Sequence, residues 1–187
     1  MWFRLYEYDA DLTHFINSFS KLNFICDGIA MLITSVGIPL MVLAVAGQWW
    51  SRSNRSRTRY ALLTAGFSFL LALTLNQIFI FFVQRVRPYD VGITNLLGSP
   101  SLDSSFPSDH ASAAFAIAFA FLFCSRIRQG WLFLICASVI SLSRVYVGTH
   151  YITDIFGGIL TAFAAAIIVC SAYHFDSSLN QRIIRFF

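Results

Sequence analysis

The chain has 187 residues and a formal net charge of +4; it is 57% hydrophobic and only 12% charged, with a mean hydropathy of +0.68. Those values exclude an ordinary soluble domain and describe a membrane protein, for which we expect no nucleic-acid partner. Its cysteines, Cys26, Cys124, Cys136 and Cys170, lie far apart without a CxxC pair, so neither a disulfide framework nor a zinc site is indicated.

In chain order, the first element is "LYEYDADLTHFINSFSKL", where Leu5, Leu12, Phe15, Ile16 and Phe19 recur near helical spacing between polar residues. That pattern predicts an amphipathic interfacial helix within residues 1–22. Its acids and lack of a continuous apolar core argue against a cleavable signal peptide. Five apolar segments follow, at about residues 25–50, 60–83, 107–124, 130–147 and 155–173. Each approaches the roughly 20 residues that cross about 30 Å of hydrocarbon. No repeat or linker divides them. The expected fold is therefore all-α: one domain over 1–187, a polytopic membrane bundle of about five transmembrane helices within 25–173, with a cytoplasmic tail at 174–187.

Arginines orient the bundle. Arg52, Arg55, Arg57 and Arg59 follow the first span, Arg126 and Arg128 join the third to the fourth, and Arg182 and Arg185 lie in the tail. Five crossings put all of them on one face, which we assign to the cytoplasm. The N-terminal helix, the loop 84–106 and the turn around His150 then face outward.

Three polar stretches meet that outer face. In "SFPSDHASAAF", Pro107 suits a first helical turn, so the amides of Ser108, Asp109 and His110 fall at a helix start, where anions are favoured. In "SRVYVGTHYITDIFGG", Ser143 and Arg144 close the fourth span, Gly148 permits a turn, and His150 and Asp154 share a helix face at i, i+4. In "FFVQRVRPYD", Arg87 and Pro88 end the second span. Each stretch has an ordinary reading: Ser105 as a cap, Asp109 as a first-turn acid, Arg144 and Arg87 as interfacial anchors, His150 and Asp154 as a surface pair. Independent anchors would have little reason to place two histidines, an aspartate, a serine and two arginines on one face.

Together these residues resemble the type 2 phosphatidic acid phosphatase superfamily of membrane lipid phosphatases. Arg87-Pro88, Pro107-Ser108-Asp109-His110, Ser143-Arg144, His150 and Asp154 match its pattern in order and spacing. Two positions depart: the family's lysine falls at Ile80 and its glycine at Asp109, and Arg85 is the candidate to supply the missing charge. The Pro-Ser-Asp-His form is most similar to the bacitracin-resistance type of undecaprenyl-pyrophosphate phosphatase.

That resemblance implies His150 as a nucleophile forming a phosphohistidine, Asp154 holding its ring, and His110 as general acid and then base. Arg87, Ser108, Arg144 and the helix start at Asp109 would bind the phosphate. It implies no cofactor or metal, and a bacterial inner-membrane enzyme cleaving undecaprenyl pyrophosphate outside the cytoplasm to recycle the cell-wall carrier. Phosphatidylglycerophosphate and phosphatidic acid remain alternative substrates. A metal site through His110, His150 and Asp154 is a rival chemistry, opposed by two arginines beside it. A transporter, a small channel or a scaffold without chemistry are rivals of another class. For a transporter, polar groups are expected near the bilayer midplane rather than at one edge. Elsewhere, Gly158, Ala162 and Ala166 predict a close helix contact, Asn76 an interhelical hydrogen-bond donor and Asp27 an interfacial acid.

Overall fold

The computed structural model describes residues 2–51 and 54–175. The tail expected at 174–187 lies almost wholly outside the described residues, as do Arg52, Arg182 and Arg185 of the basic face.

Six α-helices make up the described chain: α1 (Trp2–Asn17), α2 (Phe24–Gly47), α3 (Arg55–Phe82), α4 (Asp109–Phe123), α5 (Ile127–Tyr146) and α6 (Ile152–Ala172). A 3-10 turn, Gln48–Trp50, leads from α2 towards α3. Four of them, α2, α3, α5 and α6, are long and apolar enough to cross a membrane.

The fifth expected span is different. Helix α4 has 15 residues, about 22 Å at 1.5 Å per residue and short of roughly 30 Å of hydrocarbon. Its start is later than Pro107 predicts, because Ser108 holds the N-cap position in an extended conformation. Length matters less here, since α3, α5 and α6 all pack against it. Ala111, Ser112, Ala113, Ala114, Ala116, Ala118 and Ala120 are all buried, and such small side chains let neighbouring backbones approach closely. Helix α4 is thus the protein-covered axis of the bundle rather than a lipid-facing span. On α6, a Cβ at Gly158 would stand 2.7 Å from the Ser108 carbonyl and 2.8 Å from the Ala111 Cβ. The small-residue contact expected of Gly158 is therefore made against α4.

The outer surface is chemically inverted relative to a soluble bundle, around a largely apolar core that also holds buried polar groups. Leu43, Leu70, Trp131 and Leu160 are exposed, whereas Thr64, Ser68, Asn76, Ser112 and Thr161 are buried. Among these, Asn76 donates to Asp109 at 2.7 Å and to Ser112 at 2.8 Å, and the Ser112 hydroxyl lies 2.8 Å from that of Thr161. That polar chain joins α3, α4 and α6 away from lipid, where partners satisfy each group.

The same inversion governs α1. Asp9, Thr13 and Asn17 are buried at helical spacing, while Leu5, Leu12, Phe15 and Phe19 are exposed. The amphipathic helix expected from the sequence is present, and its polar stripe is the face that meets the bundle. Asp27 accepts from the Tyr146 hydroxyl at 2.9 Å and from the Lys21 amide, at the start of α2.

Alternating helix directions put the turn carrying Arg55 and Arg57 and the turn carrying Arg126 and Arg128 at one end. The opposite end gathers the C-termini of α3 and α5, the N-termini of α4 and α6, and the loop between α3 and α4. Gly148 makes this end possible: its φ is +84°, and a Cβ there would stand 2.6 Å from the Asn95 carbonyl. Around it, Leu97 N–H donates to Val147 at 3.0 Å and the Thr94 hydroxyl to Gly148 at 2.9 Å, fastening the loop to the α5–α6 turn.

Candidate active site

A cavity of about 430 Å³ opens at this end, with Arg87, Asp109, His110, Arg144 and His150 in its wall. Residues from a loop, from α4, from the end of α5 and from the turn before α6 therefore share one space. Ser108 and Asp154 sit behind the wall, both fully buried.

His150 is 3% exposed, and its ring orientation is set by its neighbours. Nδ1 lies 2.8 Å from the Ser105 carbonyl, an oxygen that only accepts, so Nδ1 carries the proton. Nε2 lies 3.4 Å from Arg87 Nη1, a group that only donates, so Nε2 presents its lone pair. Burial holds the imidazole pKa below its ordinary 6.5, against the pull of Asp154 and with the repulsion of Arg144 and Arg87. The result is a neutral imidazole with its electron-rich nitrogen at the cavity.

The His150–Asp154 pair differs from the expectation in two respects, the first being that His150 lies in the turn before α6 and not on a helix face shared with Asp154. Second, the Asp154 Oδ2 is 3.5 Å from His150 Nδ1, close enough for attraction, but the ring's shorter hydrogen bond goes to Ser105. Asp154 itself is held by the Ser105 hydroxyl and the Tyr151 amide on Oδ2 and by Arg85 on Oδ1 at 2.7 Å. Ser105, read from sequence as a plain cap, thus touches both members of the His-Asp pair. Its own amide is bound by the Arg85 carbonyl at 2.8 Å.

Arg87 is anchored before any anion arrives. Nε donates to the Asp103 carbonyl and Nη1 to the Thr149 carbonyl, each at 3.0 Å, while the Nη2 contacts to Ser101 and Ser104 stretch to 3.5 Å. In contrast, the Nε of Arg144 and the hydroxyl of Ser108 are buried without a hydrogen-bond partner. Unpaired buried donors are costly, and of these two residues Arg144 lines the cavity. The amides at the start of α4 add a favourable dipole.

The two departures from the family pattern are now located. Ile80 lines the cavity, so the charge absent from the sequence is absent from the wall. Arg85 is not in that wall. Its guanidinium is bound by Asp9 at 2.6 Å and Asp154 at 2.7 Å and borders an adjoining outer cavity instead. Burial works against the Arg85 charge, but Asp154 and Asp9 more than offset it and its pKa is raised. Asp109 lines the cavity with one carboxylate oxygen taken by Asn76.

Residues 61–177 match the model of the PAP2 superfamily. The chain belongs to the PAP2 superfamily. It is 31% identical over 147 residues to the undecaprenyl-diphosphatase BcrC of Bacillus subtilis, covering 79% of this chain and 75% of that relative. Over 164 residues it is 27% identical to a Bacillus licheniformis protein called the bacitracin transport permease protein BcrC, covering 87% and 79%. The fold is also similar to a solved transmembrane PAP2 type phosphatidylglycerolphosphate phosphatase from Bacillus subtilis, with a TM-score of 0.63, 22% identity, and 98% and 90% of the two chains covered. This PAP2 protein is a phosphatase of the membrane, with a multi-pass helical fold and a cavity in which two imidazoles and two guanidinium groups converge.

Proposed function

We propose that the protein hydrolyses undecaprenyl pyrophosphate to undecaprenyl phosphate and phosphate, through a phosphohistidine on His150. The observation that carries this reading is the tautomer of His150: Nδ1–H is committed to Ser105 and the Nε2 lone pair is directed at the cavity beside Arg87. In the first step Nε2 bonds to the terminal phosphorus while the bond to the bridging oxygen breaks, and His110 gives that oxygen its proton. In the second, His110 takes a proton from water, the hydroxide attacks phosphorus, and the P–N bond breaks to free phosphate. Arg87, Arg144, Ser108 and the amides around Asp109 hold the phosphoryl oxygens as charge develops. Asp154 steadies the positive charge that appears on the His150 ring.

Support for the lipid comes from the 31% identical undecaprenyl-diphosphatase and from a cavity at the ends of apolar helices, where a headgroup meets the protein with its tail still in the bilayer. An orientation with this end outside the cytoplasm follows from the arginines at the other end, and we assign the enzyme to a bacterial inner membrane. The test offers purified protein undecaprenyl pyrophosphate, phosphatidylglycerophosphate and phosphatidic acid in competition and measures phosphate released. Preference for the pyrophosphate is expected. Preference for a glycerolipid replaces the substrate, and no phosphate release at all returns the transporter reading.

A further inference from the structure

Helix α1 takes no part in the steps above, yet its buried polar stripe reaches the carboxylate beside His150. Asp9, with its side chain 3% exposed, receives Arg85 Nη2 at 2.6 Å and also the amide and hydroxyl of Thr153 in the first turn of α6. The same guanidinium gives Nη1 to Asp154 at 2.7 Å and lies 3.7 Å over the Tyr151 ring. Thr13 receives the Ile152 amide at 3.1 Å, and Asn17 reaches Asn95 and Tyr146, so α1 is seated along its length.

Exposed ion pairs contribute little. Here both carboxylates are buried, the side chain of Asp154 completely, and the bonds are charge-assisted, so removing one partner strands charge away from water. On its Oδ1 side Asp154 is restrained by Arg85, whose other anchors are Asp9 and the Thr153 hydroxyl, the latter at 2.6 Å and itself bound to Asp9. We propose that Asp9 is a positioning residue: from α1 it holds Arg85 against Asp154 and so sets the distance between that carboxylate and the His150 ring. The seating of a helix whose outer face carries Leu5, Leu12 and Phe15 is thereby linked to the reactivity of the imidazole. This rests on the reading of His150 as the nucleophile.

Charged and titratable groups facing His150 are Asp154 from α6, Arg144 from α5, His110 from α4 and Arg87 from the loop. Of these Asp154 alone favours the imidazolium, so loosening it makes His150 harder to protonate.

The experiment measures kcat, KM and their pH profiles with farnesyl pyrophosphate for wild type, Asp9→Ala, Asp9→Asn, Asp9→Glu and, as a control on the exposed side of α1, Asp11→Asn. Asp9→Ala is expected to lower kcat about tenfold at unchanged KM, the scale of a small misplacement, and to move the acid limb to lower pH. Asp9→Asn changes both in the same direction to a smaller extent and, being isosteric, carries the test if Asp9→Ala does not fold. Asp9→Glu recovers most of the rate, and Asp11→Asn matches wild type. An active wild type whose acid limb is unmoved in both Asp9→Ala and Asp9→Asn overturns this inference alone, whether or not kcat falls. A wild type that releases no phosphate overturns the phosphatase chemistry beneath it.

Discussion

The ring of His150 donates from Nδ1 to the backbone carbonyl of Ser105 across 2.8 Å, while the Ser105 hydroxyl donates to Asp154. One residue thus fixes the imidazole through its backbone and the carboxylate through its side chain. The two contributions separate by mutation. Ser105→Ala retains the carbonyl and removes the hydroxyl, so kcat is expected to fall by about tenfold, with a loss of roughly 2 kcal/mol of stability for the missing bond to a buried carboxylate. Chemical or thermal unfolding beside steady-state rates checks both.

His150→Ala removes the attacking nitrogen itself. Turnover is expected to fall by on the order of 10⁴-fold or more, with membrane insertion intact. His110→Ala costs about 10²- to 10⁴-fold, the range of a positioned acid and base. Near-wild-type activity in either variant removes that residue from its proposed role.

Protonation of His150 occupies Nε2 and blocks attack. Because burial holds its pKa below 6.5, activity persists as pH falls through that value and is lost only in a more acidic range. The same shift acts on stability. Between the folded-state value and 6.5 the unfolded chain binds the proton and the folded chain does not, so this contribution is complete above 6.5 and declines as pH drops through the window. A kcat/KM profile with its acid limb at or above 6.5 contradicts the assignment.

Arg87 and Arg144 supply the positive charge of the cavity, and both oppose a divalent cation between them. Hydrolysis is therefore expected to be unchanged by EDTA. Loss of activity on chelation, restored by one specific metal, favours the rival site through His110, His150 and Asp154.

Gly148 tests the scaffold rather than the chemistry. With φ at +84° and the Asn95 carbonyl 2.6 Å from where a Cβ would stand, Gly148→Val is expected to cost at least about 1 to 3 kcal/mol of backbone strain. It also displaces the loop from His150. A variant with unchanged melting and rate contradicts the tight fit described here.

Local patterns made much of this legible. Apolar runs located α2, α3, α5 and α6, while His150 and Asp154, expected on one helix face, come 3.5 Å apart with His150 in the turn before α6. What could not be read was set by contacts between distant segments. Arg85 follows Gln84 in an ordinary helix-ending stretch, and its pairing with Asp9 joins residues 76 positions apart. Whether it supplies the missing lysine charge was open in the sequence, because the two carboxylates that hold it come from distant segments. Ser105 resembled a helix cap, and only the folded loop puts its carbonyl against a ring 45 positions away. Helix α4 was legible as an apolar segment, but hydropathy does not distinguish a helix covered by protein from one covered by lipid.

The central claim is that His150 carries the phosphoryl group, and trapping it is the most direct measurement. Undecaprenyl pyrophosphate labelled at its terminal phosphate would be mixed with enzyme, quenched in base, and the peptides mapped. We expect acid-labile, base-stable label on the peptide containing His150, and none in His150→Ala. Label on another residue, or an unlabelled enzyme that turns over rapidly through a single displacement by water, would contradict the account.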